Sequence, residues 1–425
     1  MIVELISVGT ELLLGNIVNT NANFLSKKCA ELGFAMYYQT VVGDNEGRLY
    51  EAIINALKRA DILIITGGLG PTQDDITKEV VAKVFNRELI IDQHSKNRIK
   101  NYFEDRYTDK NKKDNSTIPE NNWKQAIKIE GSIVVDNKKG TAPGYIVEDN
   151  NKTILLLPGP PSEMISMFNN DIYDYLKQKQ DQVFITKMVK LCGIGESRAE
   201  TMIMDLIEQQ DNPTIAPYSQ AGEVHFRVTA AADSQEKADL LVEPVLDELR
   251  NRFKDNIYTI YEDENLEEVV VKLLKEKKYT LSIAESCTGG LLASKIVNVN
   301  GASSVFNEGI ITYSNEAKVK HLGVKESTLK KYGAVSSQTA REMVAGVARL
   351  ANSDTALAVT GLAGPGGGTE EKPVGLVYIA SYVKGEILVK ELRLTGDRQK
   401  IRSQSVVNGL DFLRRNLIRR FRSEV

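Results

Sequence analysis

A chain of 425 residues has room for roughly two to four domains, each with its own apolar core. With 26% charged residues, 42% hydrophobic residues and a formal net charge of -3, it is ordinary for a globular protein and has no general pull toward nucleic acid or an anionic membrane. Three scattered cysteines (Cys29, Cys192, Cys287) and only three histidines argue against a disulfide framework, a His-rich metal centre and most His-based triads.

The N-terminal part alternates strands with helices. Met1–Gly9 reads as a buried strand running into Gly9-Thr10-Glu11, followed by an amphipathic helix around Asn21–Gly33. Ala35–Val42 is a second strand, Asn45–Ala60 a second helix, and Asp61–Thr66 a third strand, almost wholly apolar. That strand ends in Gly67-Gly68-Leu69-Gly70-Pro71-Thr72, after which Asp74, Asp75 and Thr77 open another helix. Such alternation predicts a doubly wound α/β domain, whose ligands bind at the carboxyl ends of the strands. A glycine turn facing a helix N-terminus suits a phosphate, and Glu11, Asp74 and Asp75 could hold a hard divalent cation beside it. For either aspartate taken alone the plainer account is better: Asp75 caps a helix and Asp74 is solvated. Tyr102–Asn122 reads as a helix end plus an exposed polar loop. Tyr145–Val147 and Thr153–Leu157 read as a hairpin, and Pro158-Gly159-Pro160-Pro161 as a stop before the helix that closes the first domain, 1–171.

The rhythm then changes. Strands at Val183–Cys192, Thr214–Tyr218, Glu223–Ala230 and Ile257–Tyr261, with helices at Glu196–Gln210 and Glu236–Phe253, predict a small α+β module over 172–262. Its Gly193-Ile194-Gly195-Glu196 loosely matches the glycine loop of KH-type RNA binders. Acidic Glu196 and the lack of a basic excess favour a structural or dimerising module instead. The last domain, 263–425, opens with a helix at Asn265–Lys278. Strands follow at Tyr279–Ile283, Val305–Tyr313, Asp354–Thr360, Gly375–Val383 and Glu386–Leu394, and helices at Leu291–Val297, Gln338–Ala351 and Lys400–Phe421. The basic end of the final helix complements its dipole. No apolar run approaches the roughly 18 residues of a membrane span. Glu4 and Glu11 interrupt an N-terminus with no basic start, so a cytoplasmic protein without a signal peptide is expected.

Chemistry concentrates at Ala284-Glu285-Ser286-Cys287-Thr288-Gly289-Gly290, between a strand and a helix. A small nucleophile at such a turn, backed by glycines, suits covalent catalysis, with backbone amides near a developing oxyanion. On the heptapeptide alone, a helix cap is the simpler account. Ser286 and Cys287 compete as nucleophile, and each needs a base. His321 is the only histidine in this domain and falls in a surface-like stretch. Lys318 ends the polar motif Tyr313-Ser314-Asn315-Glu316-Ala317-Lys318; it would have to be desolvated well below its ordinary pKa, with Tyr313 orienting it or relaying a proton. Without a wider pattern Lys318 reads as a surface lysine. The glycine turn Gly361–Gly368, with Arg398 and Arg402, offers amides and guanidinium groups to an anionic substrate.

Taken together, these motifs resemble those of the CinA (competence/damage-inducible protein A) family from the first strand to the final helix. In the first domain the resemblance rests on Gly9-Thr10-Glu11-Leu12-Leu13-Leu14-Gly15, Gly67–Thr72 with Asp74-Asp75-Ile76-Thr77, Gly140-Thr141-Ala142-Pro143-Gly144 and Pro158–Met164. In the last it rests on Ala284–Gly290, Tyr313–Lys318, Gly333-Ala334-Val335-Ser336, Gly361–Gly368, Glu370-Glu371-Lys372-Pro373-Val374-Gly375 and Gly396-Asp397-Arg398. It implies a molybdopterin-binding-like first domain working as an ADP-ribose pyrophosphatase with a divalent metal at Glu11, Asp74 and Asp75 and substrate contacts from Gly67, Gly68 and Thr72. It implies a cofactor-free last domain that hydrolyses nicotinamide mononucleotide to nicotinate mononucleotide and ammonia. There Ser286 would be the nucleophile, Lys318 its base and Tyr313 a supporting group. Amides near Thr288, Gly289 and Gly290 would form the oxyanion hole, and Arg398, with Arg402, Gly361 and Gly364 nearby, would take the phosphate. A homodimer with no membrane or nucleic-acid partner is expected. One departure is that Lys128-Ile129 and Lys138 stand near Gln125-Ala126 and Asn137, where the family often has proline. An interaction protein for recombination or competence with vestigial pockets, and molybdopterin handling by the first domain, remain as rival functions.

Overall fold

The structure, a computed structural model, describes residues 1–107, 118–180 and 182–422. It divides into two compact units, Met1–Phe184 with Ala231–Ala238, and Ile185–Ala230 with Asp239–Val425.

The first unit is built on β1 (Ile2–Val8), β2 (Ala35–Val42), β3 (Ile62–Thr66), β4 (Leu89–Ile91), β5 (Ile127–Ile129), β6 (Ile133–Val135), β7 (Gly144–Asp149) and β8 (Lys152–Leu157). Six of them form one sheet in the order β2-β1-β3-β8-β7-β6, parallel across the first four, while β4 and β5 make a separate antiparallel ribbon. Alternate residues of the central strands enter two different cores. Val3, Leu5, Ile62, Ile64, Leu155 and Leu157 face one; Ile6, Val8, Leu63, Ile65, Ile154 and Leu156 face the other. A sheet covered on both faces needs apolar residues at every position, which is why β3 reads as an uninterrupted apolar run. This is the doubly wound domain the alternation predicts. The helix before the polar loop runs over Gln93–Tyr107, and residues 108–117 of that loop lie outside the described residues. The departure at Lys128-Ile129 falls in the β4–β5 ribbon. Asn137 is buried and locks the next turn, accepting from the Lys139 and Gly140 amides and donating to Ala142 O at 2.9 Å.

In the middle module β9 (Val183–Cys192), β10 (Thr214–Gln220), β11 (Glu223–Ala232) and β12 (Ile257–Thr259) form a four-stranded sheet in the order β10-β11-β9-β12. The helix expected over Glu196–Gln210 is broken in two, Glu196–Thr201 and Met204–Glu208. The Gly193 loop is not an open clamp. A Cβ at Gly193 would lie 3.1 Å from Arg415 Nη2 and 3.3 Å from Asp411 Oδ2, both on the final helix, Arg398–Arg422.

The last domain holds β13 (Leu281–Glu285), β14 (Phe306–Ile311), β15 (Thr355–Gly361), β16 (Leu376–Val383) and β17 (Glu386–Arg393), in the order β14-β13-β15-β16-β17. β14, β13 and β15 are parallel; β16 and β17 continue antiparallel. Leu281, Ile283, Leu357 and Val359 enter one core, whereas Ala284, Ala356 and Ala358 face another beneath the helix Ser337–Leu350. Alanines there let that helix approach closely. β13 and β15 lie side by side at the sheet centre, so the turns after them, Ser286–Gly290 and Leu362–Gly368, open at the same edge.

Candidate active site

The helix after β13 begins at Leu291, with Gly290 at its cap position in a left-handed conformation (φ +93°). Ser286 therefore stands before the helix rather than capping it. Its amide donates to Val359 O at 3.0 Å, and its carbonyl accepts from Gly289 at 3.1 Å. Only 8% of Ser286 is exposed.

Lys318 lies in the helix Asn315–Leu322, whose first turn is capped by Ser314 Oγ accepting from the Ala317 amide. That helix turns the lysine inward, and the residue is 1% exposed. Its Nζ is 3.0 Å from Ser286 Oγ, 2.7 Å from Thr312 O and 3.3 Å from Tyr313 O. Burial lowers its pKa from the ordinary 10.5, against smaller opposing contributions from Cys287 and Glu316. A neutral amine here has two N–H bonds for the two carbonyls and a lone pair left for the serine proton.

Tyr313 contributes its carbonyl to that cage, but its phenol is exposed and accepts instead from Arg398 Nη2 at 3.2 Å. Arg398 also donates to Gly364 O at 2.7 Å, which ties it to the glycine turn after β15. Arg402 donates to Thr288 O at 2.8 Å. Gly361 packs where a Cβ would meet Leu376 O at 2.9 Å, and Lys372 bridges the same loop to Tyr332 O and Val335 O. Not every amide in the nucleophile turn is free. Gly289 N–H is used on Ser286 O and Gly290 N–H on the Glu285 carboxylate at 3.0 Å. Among the described residues, neither the Cys287 nor the Thr288 amide bonds another residue, so these two are the candidate donors. Cys287 itself is buried, no histidine among the described residues bonds it, and burial pushes its thiol up to about 11, with Glu285 adding to the effect.

In the first unit Glu11, Gly67, Gly68, Asp74 and Asp75 line one cavity of about 430 Å³, together with Asp44 and Glu163. Gly67 and Gly68 both have positive φ (+98° and +66°), and a Cβ would lie 2.2 Å from Val8 O at the first and 2.1 Å from Thr77 Oγ1 at the second. The turn therefore closes only with glycine at both positions. Thr72 is outside the wall; its amide donates to Asp75 Oδ2 at 2.9 Å and its hydroxyl to the same oxygen. Asp75 thus closes this turn rather than capping a helix, and the following helix, Thr77–Val84, has no side-chain cap. No group of three or more His, Cys, Asp or Glu side chains among the described residues could hold a metal ion. As they stand, Glu11, Asp74 and Asp75 share a wall without forming a ready-made metal centre.

Three family profiles match in succession: the probable molybdopterin binding domain over residues 4–178, the damage-inducible protein CinA KH domain over 186–259, and the CinA C-terminal domain over 263–417. A CinA-like protein of Kosmotoga olearia is 53% identical over 98% of this chain and 98% of its own length. The chain belongs to the CinA family. A CinA-like protein of Dictyoglomus turgidum is 52% identical over 98% of this chain and 99% of its own length. Among solved structures, the competence/damage inducible protein CihA from Agrobacterium tumefaciens is 42% identical, covering 35% of this chain and 91% of that one, with a TM-score of 0.34. The three-domain CinA layout, molybdopterin-binding-like, KH-like and C-terminal α/β, is therefore the architecture of this chain. No helix among the described residues is long and apolar enough to cross a membrane.

Sequence reasoning missed three groups in this CinA chain. Glu285 reads as part of the turn between a strand and a helix, with no role of its own; the structure places it at the end of β13, and its three bonds to the next helix reveal it. Asp44 accepts from the Thr10 amide and hydroxyl at 2.9 and 2.8 Å. Its place after β2 was the available signal, since ligands gather at strand ends. Glu163, which accepts from Asn137 Nδ2 at 2.6 Å, lies far from the glycine turn in sequence, and its place in the Pro158–Met164 motif after β8 was the signal there.

Proposed function

We propose that the last domain is a serine amidohydrolase acting on nicotinamide mononucleotide, yielding nicotinate mononucleotide and ammonia. The observation that carries this reading is the buried Lys318 amine 3.0 Å from Ser286 Oγ. Neutral Lys318 takes the hydroxyl proton as Oγ attacks the carboxamide carbon, while the Cys287 and Thr288 amides receive the developing oxyanion. The C–N bond breaks, and the lysine proton passes to the departing ammonia. Water then attacks the nicotinoyl ester, giving its proton to Lys318, and the carboxylate leaves as Ser286 is reprotonated. Arg398 and Arg402 are the guanidinium groups for the substrate phosphate, and the held position of Arg398 against Tyr313 and Gly364 supports that role. Product analysis after incubation with nicotinamide mononucleotide tests the reaction.

For the first domain we propose pyrophosphate hydrolysis of ADP-ribose. Among the described residues the cavity wall carries Glu11, Asp44, Asp74, Asp75 and Glu163 and no lysine or arginine. An anionic pyrophosphate enters such a wall only with added positive charge, which supports a need for a divalent cation. Comparing ADP-ribose hydrolysis with molybdopterin binding, each with and without magnesium or manganese, separates this reading from cofactor handling.

A further inference from the structure

Glu285 is the last residue of β13, directly before Ser286, and it is 1% exposed. A buried carboxylate needs partners. No ion pair forms on it among the described residues. Instead Gly290 and Leu292 donate their amides to Oε2 at 3.0 and 3.1 Å, and Ala293 donates to Oε1 at 2.8 Å. These are the opening amides of the helix Leu291–Val297, which commonly fall to a Ser, Thr or Asp cap. Gly290, at the cap position, has no side chain to give, and the buried Thr288 hydroxyl has no partner. The carboxylate thus ties the end of the strand to the start of the helix, with Ser286–Gly289 as the loop between them.

Two consequences meet at the nucleophile. Ser286 is released from capping, so its Oγ is free to face Lys318. The Gly289 and Gly290 amides are consumed, whereas those of Cys287 and Thr288 bond no other residue among the described ones. An amide polarises a carbonyl only when held at the oxyanion position, and a misplacement of about 1 Å costs on the order of 100-fold in rate.

We infer that Glu285 is a positioning residue: by holding the first amides of the Leu291–Val297 helix, it fixes the Ser286 hydroxyl and the Cys287 and Thr288 amides around one carbonyl. The rate prediction rests on the amidohydrolase reading, whereas the prediction for the loop does not. Glu285→Gln in the full chain is the informative change, because it keeps the side chain's shape while turning one acceptor oxygen into a donor. The expected result is a kcat lower by about 100-fold with KM within about threefold of wild type. Iodoacetamide labelling of Cys287, followed peptide by peptide, is expected to accelerate by about tenfold or more as the loop opens. Cys192, buried in the same compact unit, is the control, and its rate stays unchanged. A kcat within about twofold of wild type overturns the inference, as does an unchanged Cys287 rate or a parallel rise at Cys192. If the wild-type chain does not deamidate nicotinamide mononucleotide, the amidohydrolase reading falls and the two labelling rates alone decide the role of Glu285.

Discussion

Lys318 reaches Ser286 at 3.0 Å across 32 positions of sequence, from the helix that follows β14 to the turn that follows β13. The neighbouring parallel strands β13 and β14 end at the same edge, and that shared edge makes the pairing possible. Burial then disfavours the ammonium form. The proposed general base is thus a lysine desolvated by the fold, and no histidine among the described residues bonds it.

The pH dependence follows from that lowered lysine pKa. Turnover needs the neutral amine, so kcat/KM rises with pH through the folded-state pKa, which lies below 10.5. Stability runs in the same direction. Between the folded-state pKa and 10.5 the unfolded chain binds more protons, so the Lys318 contribution grows more favourable as pH rises through that window and is least favourable below it. Lys318→Met is expected to lower kcat/KM by roughly 10²- to 10⁴-fold and to remove this rising limb. A pH–rate profile of the variant checks it; a surviving limb assigns the titration to another group.

Cys287 directly follows Ser286 but is buried, with its thiol pushed up to about 11. At pH 8 it therefore stays almost wholly protonated. Iodoacetamide at that pH is expected to leave deamidation by the wild-type chain unchanged over the time of an assay. Rapid, complete inactivation with label on Cys287 would instead point to the thiol.

The middle module is fastened to the helix that carries Arg398 and Arg402. Asp411 and Arg414 are both buried, and Asp411 also accepts from Arg415 Nε at 2.7 Å. Arg414 continues to Asp255 O and Arg415 to Cys192 O, in the middle module. Asp411→Ala strips a buried arginine of its partner and is expected to cost about 3–5 kcal/mol in the unfolding of that unit, read by denaturant titration. A loss below about 1 kcal/mol would mean that water reaches Arg414 in the folded chain.

In the first domain, Gly67→Ala places a Cβ 2.2 Å from Val8 O at a positive φ. The backbone must shift, with an expected cost of about 1–3 kcal/mol and a matching loss of ADP-ribose binding. Calorimetry on the variant with ADP-ribose and magnesium reads both effects.

Much of the fold is legible in the sequence because its strands are buried on both faces. β3 and β15 announce themselves as apolar runs bounded by glycine turns, and the Leu291–Val297 helix has the bounds its periodicity implies. The site was legible only as fragments. Ser286 and Lys318 are each ambiguous alone; the family resemblance paired them, and strand order, which periodicity does not encode, is what brings them together in space. The proposed oxyanion donors are Cys287 and Thr288 rather than Gly289 and Gly290, because Gly289 bonds Ser286 O and Glu285 takes the Gly290 amide, a contact between a side chain and a helix end that no spacing rule exposes. The carboxylates of the first domain show the reverse. Their sequence clustering suggests chelation, yet Asp75 is committed to Thr72.

The most direct test of the central claim is product analysis with nicotinamide mononucleotide for the wild-type chain and for Ser286→Ala, which removes only the hydroxyl facing Lys318. Wild type is expected to release nicotinate mononucleotide and ammonia in equal amounts, with the variant slower by about 10⁴-fold or more. A Ser286→Ala chain that deamidates at the wild-type rate contradicts Ser286 as the nucleophile and the mechanism built on it.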